Sequence, residues 1–324
     1  MVIRTVLKEL PQSDLGYCQA HEHLFIRKGK SKIVNSALWM DNIKATVREL
    51  KTYRSRGGNS IVDAQPLGCG RMTENLIKAS QKTGINIIAA TGFHKFIFYP
   101  STHWIKSISA GEFTSLLIRE LEEGMFVDGD QHFPKKNIEA RAGIIKTAYD
   151  ASDRKNKQRY KKLLKAAARA SRYTGIPLMC HTEKGKGALE VIELFQSEGV
   201  SCDSIIICHV DRRIDNLNYH IQIAESGVYL DYDTIGRFKY HSDEKEVELI
   251  IKMIHEGYID SLLLALDTTR ERMKNYDGEI GLDYILRKFK PFLRNYGLNQ
   301  QHLNKITEKN PARALLIKNR TEKK

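Results

Sequence analysis

Short apolar runs alternate along the chain with longer stretches whose apolar residues recur at three- and four-residue spacing. Eight short runs read as strands: 16–21, 60–63, 85–91, 142–146, 177–181, 204–209, 227–231 and 262–267. Helical spacing predicts helices over 41–56, 73–83, 113–123, 155–173, 188–198, 216–225, 243–256 and 282–296. The tail reads as two further short helices, 300–309 and 311–317, with Pro311 at a first helical position. Strands alternating with helices in this way predict a parallel α/β sheet.

An open doubly wound sheet and a closed barrel share that pattern, and the polar residues decide between them. His21, Asp63, Lys146, His181, His209 and Asp267 each fall at the C-terminal end of a different predicted strand. A TIM-type barrel collects its functional groups there. No glycine fingerprint follows the first strand, as a dinucleotide-binding sheet would require. The expectation is one TIM-type (β/α)8 barrel domain over residues 1–324, with a C-terminal helical extension.

At 41% hydrophobic and 28% charged residues, the chain is neither disordered nor fibrous. No apolar run reaches the ~20 residues of a membrane helix. The first residues lack the apolar segment of a signal peptide. Five cysteines, odd in number and without a CxxC pair, fit a reduced, cytoplasmic protein. The net charge is +13, and residues 154–172 carry nine basic side chains and no acidic one. Tyr160, Leu163, Leu164, Ala167 and Ser171 give that stretch a face for docking on a core. Its charge reads as a solvated helix face or as a surface for a polyanion. No nucleic-acid-binding motif accompanies it, so nucleic acid is not an expected partner.

The candidate chemistry starts at His21-Glu22-His23. Residues i and i+2 of a strand share a face, so both imidazoles could reach one metal while Glu22 points away. His181 and His209 each close an apolar strand, and Asp267 closes another. Imidazole and carboxylate are ligands for zinc and similar divalent cations. Lys146 ends AGIIK, where a bare ammonium would be repelled by such cations. It is either an ion-paired lysine apart from the metals or a deprotonated amine that has taken up carbon dioxide as a carbamate.

HEHLF, GGNSIVD, TGFHK, AGIIK, CHTEKG, ICHVD, ALD and ITEKNPARAL, in this order over nearly the whole chain, resemble the phosphotriesterase-like family of the amidohydrolase superfamily. The resemblance implies a TIM-type barrel with two divalent metal ions at its mouth, zinc first, with manganese, cobalt or iron as alternatives. It assigns His21, His23 and Asp267 to the more buried metal and His181 and His209 to the more exposed one. A carbamylated Lys146 and a hydroxide bridge the two. The implied reaction is hydrolysis of an ester-like bond by that hydroxide, with Asp267 passing the proton to the leaving oxygen. It also implies a homodimer.

Phe93 and His94 occupy the place where lactonases for long acyl chains carry a tyrosine, which argues against acyl-homoserine lactones. His94, Lys95, Arg237, Lys239, Arg270 and Arg272 lie on loops at the expected mouth and suit an anionic substrate. Lys239 and Arg270 resemble the phosphate contacts of family members that open phosphorylated sugar lactones. Met273 replaces an expected tyrosine there, and Tyr276 is the candidate substitute. The leading expectation is a lactonase for a small anionic lactone. A phosphotriesterase-type or other ester hydrolase is the alternative, and a polyanion-binding protein without turnover is the non-enzymatic one. Asp63 is expected to make a structural hydrogen bond, Trp39 and Trp104 to line or pack a loop, and Cys180 and Cys208 to face away from the site.

Overall fold

A computed structural model describes residues 1–318. Eight parallel strands follow one another in sequence order: β3 (Cys18–Glu22), β4 (Ser60–Asp63), β5 (Asn86–Gly92), β6 (Ile144–Tyr149), β7 (Leu178–Thr182), β8 (Ile205–Cys208), β9 (Tyr229–Tyr232) and β10 (Leu262–Leu264). β10 returns to β3, where the Asp267 amide donates to the His21 carbonyl at 3.0 Å and closes a TIM-type (β/α)8 barrel. The outer ring includes α2 (Ile43–Ser55), α3 (Thr73–Thr83), α4 (Ala110–Glu122), α5 (Lys157–Thr174), α6 (Ala188–Ser197), α7 (Leu217–Glu225) and α8 (Asp243–His255), with the short α1 (Lys30–Val34) at the mouth. None of the described helices is long and apolar enough to cross a membrane.

The period-two alternation of the strands sorts the core into two layers. In β8, Ile206 and Cys208 point into the barrel and Ile205 and Ile207 pack under the helices. In β5, Ile88 and Ala90 point inward and Ile87 and Ala89 outward. A hairpin of β1 (Val2–Arg4) and β2 (Glu9–Pro11), which the sequence patterning missed, plugs the bottom with Ile3 and Leu10. Leu315 and Leu316 join the same cluster after α11 (Asn310–Ala314). Three-residue strands carry too short an alternation to stand out in a pattern search.

Element ends differ from the sequence reading for local reasons. α4 begins at Ala110 because Ser109 and Glu112 form a reciprocal capping box. The 282–296 stretch becomes a π-helical turn, 285–289, followed by α9 (Lys290–Asn295). The two tail helices form one run, α10 (Gln300–Asn304), a wide turn over 305–309 and α11, with Pro311 in the first turn of the last piece.

The nine-cation segment is helical as expected and buries Tyr160, Leu163, Leu164, Ala167 and Ser171. Four of its outer charges, while partly exposed to solvent, also pair with the neighbouring helix. Lys157 and Lys161 pair with Glu190 of α6 at 3.4 and 3.0 Å, and Lys165 and Arg169 pair with Glu198 at 3.7 and 2.9 Å. The stretch thus serves helix-to-helix pairing, which weakens the reading of a free polyanion surface.

Gly92 ends β5 with φ +106°, and a Cβ there would stand 1.8 Å from the Lys146 carbonyl oxygen of β6. Gly84 also has positive φ (+69°) but open space around it. Gly92→Ala is expected to cost about 3 kcal/mol or more, since backbone cannot yield, and Gly84→Ala only about 1 kcal/mol. Urea denaturation of both variants checks this. Equal costs would contradict the packing of β5 against β6.

Candidate metal centre

The mouth of the barrel is built by departures from regular strand geometry. β3 slips in register against β4 between Gln19 and Glu22. Cys18 and Ala20 face the interior, so alternation alone would turn His21 outward. The extra residue of the slip turns His21 inward as well. Glu22 then reaches the last strand. Its carboxylate accepts the Leu266 amide at 2.8 Å and the Thr268 amide at 3.1 Å, beyond the point where the β10 ladder stops. Burial pushes this carboxyl up to about 7. His209 and Asp267, predicted as strand residues, have left-handed backbone (φ +66° and +48°) just past their strands. That twist breaks the alternation at β8, so Cys208 and His209 both line the site. The expectation that Cys208 faces away is therefore corrected: its Sγ lies 3.7 Å from Lys146 Nζ. Cys180 does pack in the outer layer.

Six side chains converge here. Lys146 Nζ is 3.0 Å from His21 Nε2, and Asp267 Oδ1 is 3.9 Å from His21 Nε2 and 3.5 Å from His23 Nε2. His209 Nε2 faces His181 Nδ1 at 2.8 Å. The far nitrogens are taken by carboxylates. His21 Nδ1 lies 3.0 Å from Asp231 and 3.1 Å from Asp233, His209 Nδ1 lies 2.6 Å from Asp233, and His181 Nε2 lies 3.1 Å from Glu183. A histidine that gives its N–H to a carboxylate turns its lone pair the other way.

The donor set fits a cation. Burial pulls His181 down to about 4 and His209 well below its usual value, so both rings are neutral at pH 7. With their protons on Glu183 and Asp233, two lone pairs face each other at 2.8 Å, an arrangement that repels unless a positive centre lies between. His23 Nδ1 is buried without a partner. Grouped donors that could hold an ion are His21, His23 and Asp267; His209, Asp233 and Asp267; and His21, Cys208, Asp231 and Asp233. Lys146 is fully buried, and no carboxylate among the described residues pairs with it.

Asp267 is pinned from outside. Its Oδ2 accepts from Arg212 at 2.6 Å and lies 3.1 Å from Arg237, which leaves Oδ1 toward the imidazoles. Burial works to raise its carboxyl, yet Arg237, His23 and Arg212 hold it well below the usual carboxylate range. Asp231, Asp233, Glu183 and Arg212 were not singled out from sequence. The i, i+2 aspartates of YLDYD were a readable signal of one shared face.

The mouth loops divide the remaining candidates. His94 packs its ring 5.0 Å from that of His181, and Lys95 pairs with Glu183, the residue that orients His181. Lys239 is exposed at the rim, 5.2 Å over the Tyr240 ring. Arg270 stacks between Trp39 and Tyr276. Arg272 is buried on the carbonyls of Leu266 and Ile235, and the Tyr276 hydroxyl is held by Thr46 and Asn42. Both are committed to the protein's own backbone and loops, which explains their charge and hydroxyl without a ligand. Trp104 ties its indole to Gly129 at 2.7 Å. Asp63 does make a backbone hydrogen bond, to the Gln65 amide at 3.2 Å, and burial pushes it up to about 7.

Two measurements follow. Asp233 holds both His21 and His209, so Asp233→Asn is expected to weaken divalent-metal affinity by ~10–100-fold in a chelator competition; unchanged affinity would contradict its orienting role. Asp63 has a folded value above its ordinary 3.8, so its contribution is fully present below 3.8 and is lost as pH rises through about 7. Asp63→Asn is expected to flatten the fall in stability across that window by on the order of 4 kcal/mol. An identical slope in the parent and the variant would contradict the burial argument.

Comparison with known proteins agrees with this architecture. Residues 1–315 match the model of the Phosphotriesterase family. A phospho-furanose lactonase of Mycoplasmopsis synoviae is 34% identical over 96% of this chain and 91% of its own. The crystal structure of a lactonase from Listeria monocytogenes superposes with TM-score 0.89 at 26% identity, over 98% of this chain and 100% of its own. That of the phosphotriesterase homology protein from Escherichia coli, complexed with phosphate in its active site, gives 0.83 at 29% identity, over 94% and 99%.

Proposed function

The chain belongs to the phosphotriesterase family, and from that premise we propose a metal-dependent hydrolase that opens a small anionic lactone, a phosphorylated sugar lactone. The observation that carries the reading is the convergence of carboxylate-backed imidazoles with Asp267 around a buried lysine that has no carboxylate partner among the described residues. His21, His23 and Asp267 would hold one divalent cation, His181 and His209 a second, and Lys146, as its carbamate, would join them. Zinc suits these nitrogen and oxygen donors, and manganese, cobalt or iron accept the same set. Such cations supply a polarised carbonyl and a water acidic enough to act as a nucleophile at neutral pH.

The chain's own residues do the rest. Arg212 and Arg237 keep Asp267 ionised and aimed, so that it can take the nucleophile's proton and return it to the leaving oxygen. Asp231 and Asp233 fix the tautomers of His21 and His209. Lys95 holds Glu183 on His181. The substrate class is supported by the relatives' names and by the basic rim, where Lys239 and Arg270 stand on the loops after β9 and β10. A polyanion-binding role without turnover has little left, because four of the nine cations of the basic segment pair with Glu190 and Glu198.

A panel assay of the metal-loaded protein is expected to show a preference for phosphorylated lactones over neutral lactones, a paraoxon-type triester and a long-chain acyl-homoserine lactone. Lys239→Ala and Arg270→Ala are expected to raise KM for the phosphorylated substrate by about tenfold or more, the loss of one charge-assisted contact. Equal losses on neutral lactones, or a preference for the triester, would contradict the substrate reading.

A further inference from the structure

Asp267 owes its place to two guanidiniums, and neither is held by a full set of hydrogen bonds. Arg212 donates through one terminal nitrogen to Asp267 Oδ2 at 2.6 Å, while its own Nε–H is buried with no acceptor. Arg237 lies 3.1 Å from the same oxygen, and its Nε–H is buried without an acceptor too. A planar fork that is bonded at one end can pivot, and the carboxylate it holds pivots with it.

The ring of Tyr240 meets Arg212 from another side. The guanidinium carbon stands 5.2 Å from the ring centroid, within reach of the attraction between a cation and an aromatic face. Arg212 is buried, so that attraction is screened less than at an exposed site. The Tyr240 hydroxyl makes no hydrogen bond among the described residues, so what this side chain offers Arg212 is its ring.

The ring is itself fixed. Tyr240 sits on the loop after β9, where its amide donates to the Arg237 carbonyl at 3.0 Å and the Arg237 amide donates to the Thr234 carbonyl at 2.8 Å. Two bonds lock this loop to the residue before Arg212. The Thr234 amide donates to Asp211 Oδ2 at 2.6 Å, and His241 Nε2 lies 2.8 Å from the Asp211 carbonyl oxygen. One loop therefore carries both Arg237 and the ring that faces Arg212. Lys239 Nζ shares that ring, also at 5.2 Å.

We propose that Tyr240 is a positioning residue for the hydrolysis: its ring holds Arg212 so that Asp267 stays aimed at the reacting centre. It acts through Arg212, not on the reacting atoms. The inference rests on the proton transfer assigned to Asp267 above. Without the ring Arg212 swings, and the loss falls on the step that Asp267 serves more than on substrate binding.

Tyr240→Leu is expected to lower kcat by about tenfold with KM and metal content little changed, and Tyr240→Phe to stay within about twofold of the parent. Equal kcat in all three proteins would overturn the proposal. Packing alone would give the expected pair of results, so the electrostatics of the ring are varied at nearly constant shape. Phenylalanine with one, two and three ring fluorines at position 240 draws electron density from the aromatic face step by step. On the lactone of the panel that is opened fastest, kcat is expected to fall along this series, and a flat series would overturn the proposal. The series is repeated in Lys239→Ala protein, because Lys239 shares the ring. A fall that persists supports the route through Arg212, and one that vanishes would overturn it. If no lactone is opened, the proposed function fails by itself, and the hold on Arg212 is still read by 15N NMR. Slow rotation of the Arg212 guanidinium that becomes fast in Tyr240→Leu supports the proposal, and equal rates would overturn it.

Discussion

The Glu22 carboxylate joins β3 to the chain beyond β10, and the geometry of the mouth hangs on that junction. The β9–β10 ladder ends at Leu264, and the closure onto β3 is made by the Glu22 carboxylate accepting the Leu266 and Thr268 amides and by the Asp267 amide donating to the His21 carbonyl. The closure sets Asp267 opposite His21 and His23. Without it, the first and last strands of the barrel would have no shared frame. The register slip in β3 serves the same junction, because it lets both Glu22 and its histidine neighbours be used.

Behind the mouth the charges are arranged in layers. Carboxylates back the histidines, and arginines back the carboxylate of Asp267. In so buried a place an uncompensated charge is costly, and each group is either paired or held neutral. The exceptions are informative. Among the described residues Lys146 has no carboxylate partner, and His181 and His209 face each other nitrogen to nitrogen at 2.8 Å.

Much of this was legible in the chain. The strand–helix alternation and the polar residues at strand ends were enough for a barrel, since each follows from a simple period. The six convergent residues were also readable, His21 and His23 as an i, i+2 pair and Lys146, His181, His209 and Asp267 as the ends of apolar runs. Cys208 at the site and the Glu22 closure of β3 onto the chain beyond β10 were not. Both depend on backbone that leaves the ideal strand, at His209 and within β3, and a two-residue period carries no sign of such a twist. Arg272 and Tyr276 looked like substrate contacts because of their place in the chain, but tertiary packing turned them to backbone carbonyls and to Thr46. The ion-pair partners of the basic helix were not readable either, because Glu190 and Glu198 lie on another element.

A native mass spectrum of the intact chain, purified in the presence of bicarbonate and divalent metal, tests the centre most directly. The account predicts a mass raised by two metal ions and one carbon dioxide, with both increments lost together in Lys146→Ala. A chain that carries no metal under these conditions, or binds it equally well without Lys146, would contradict it.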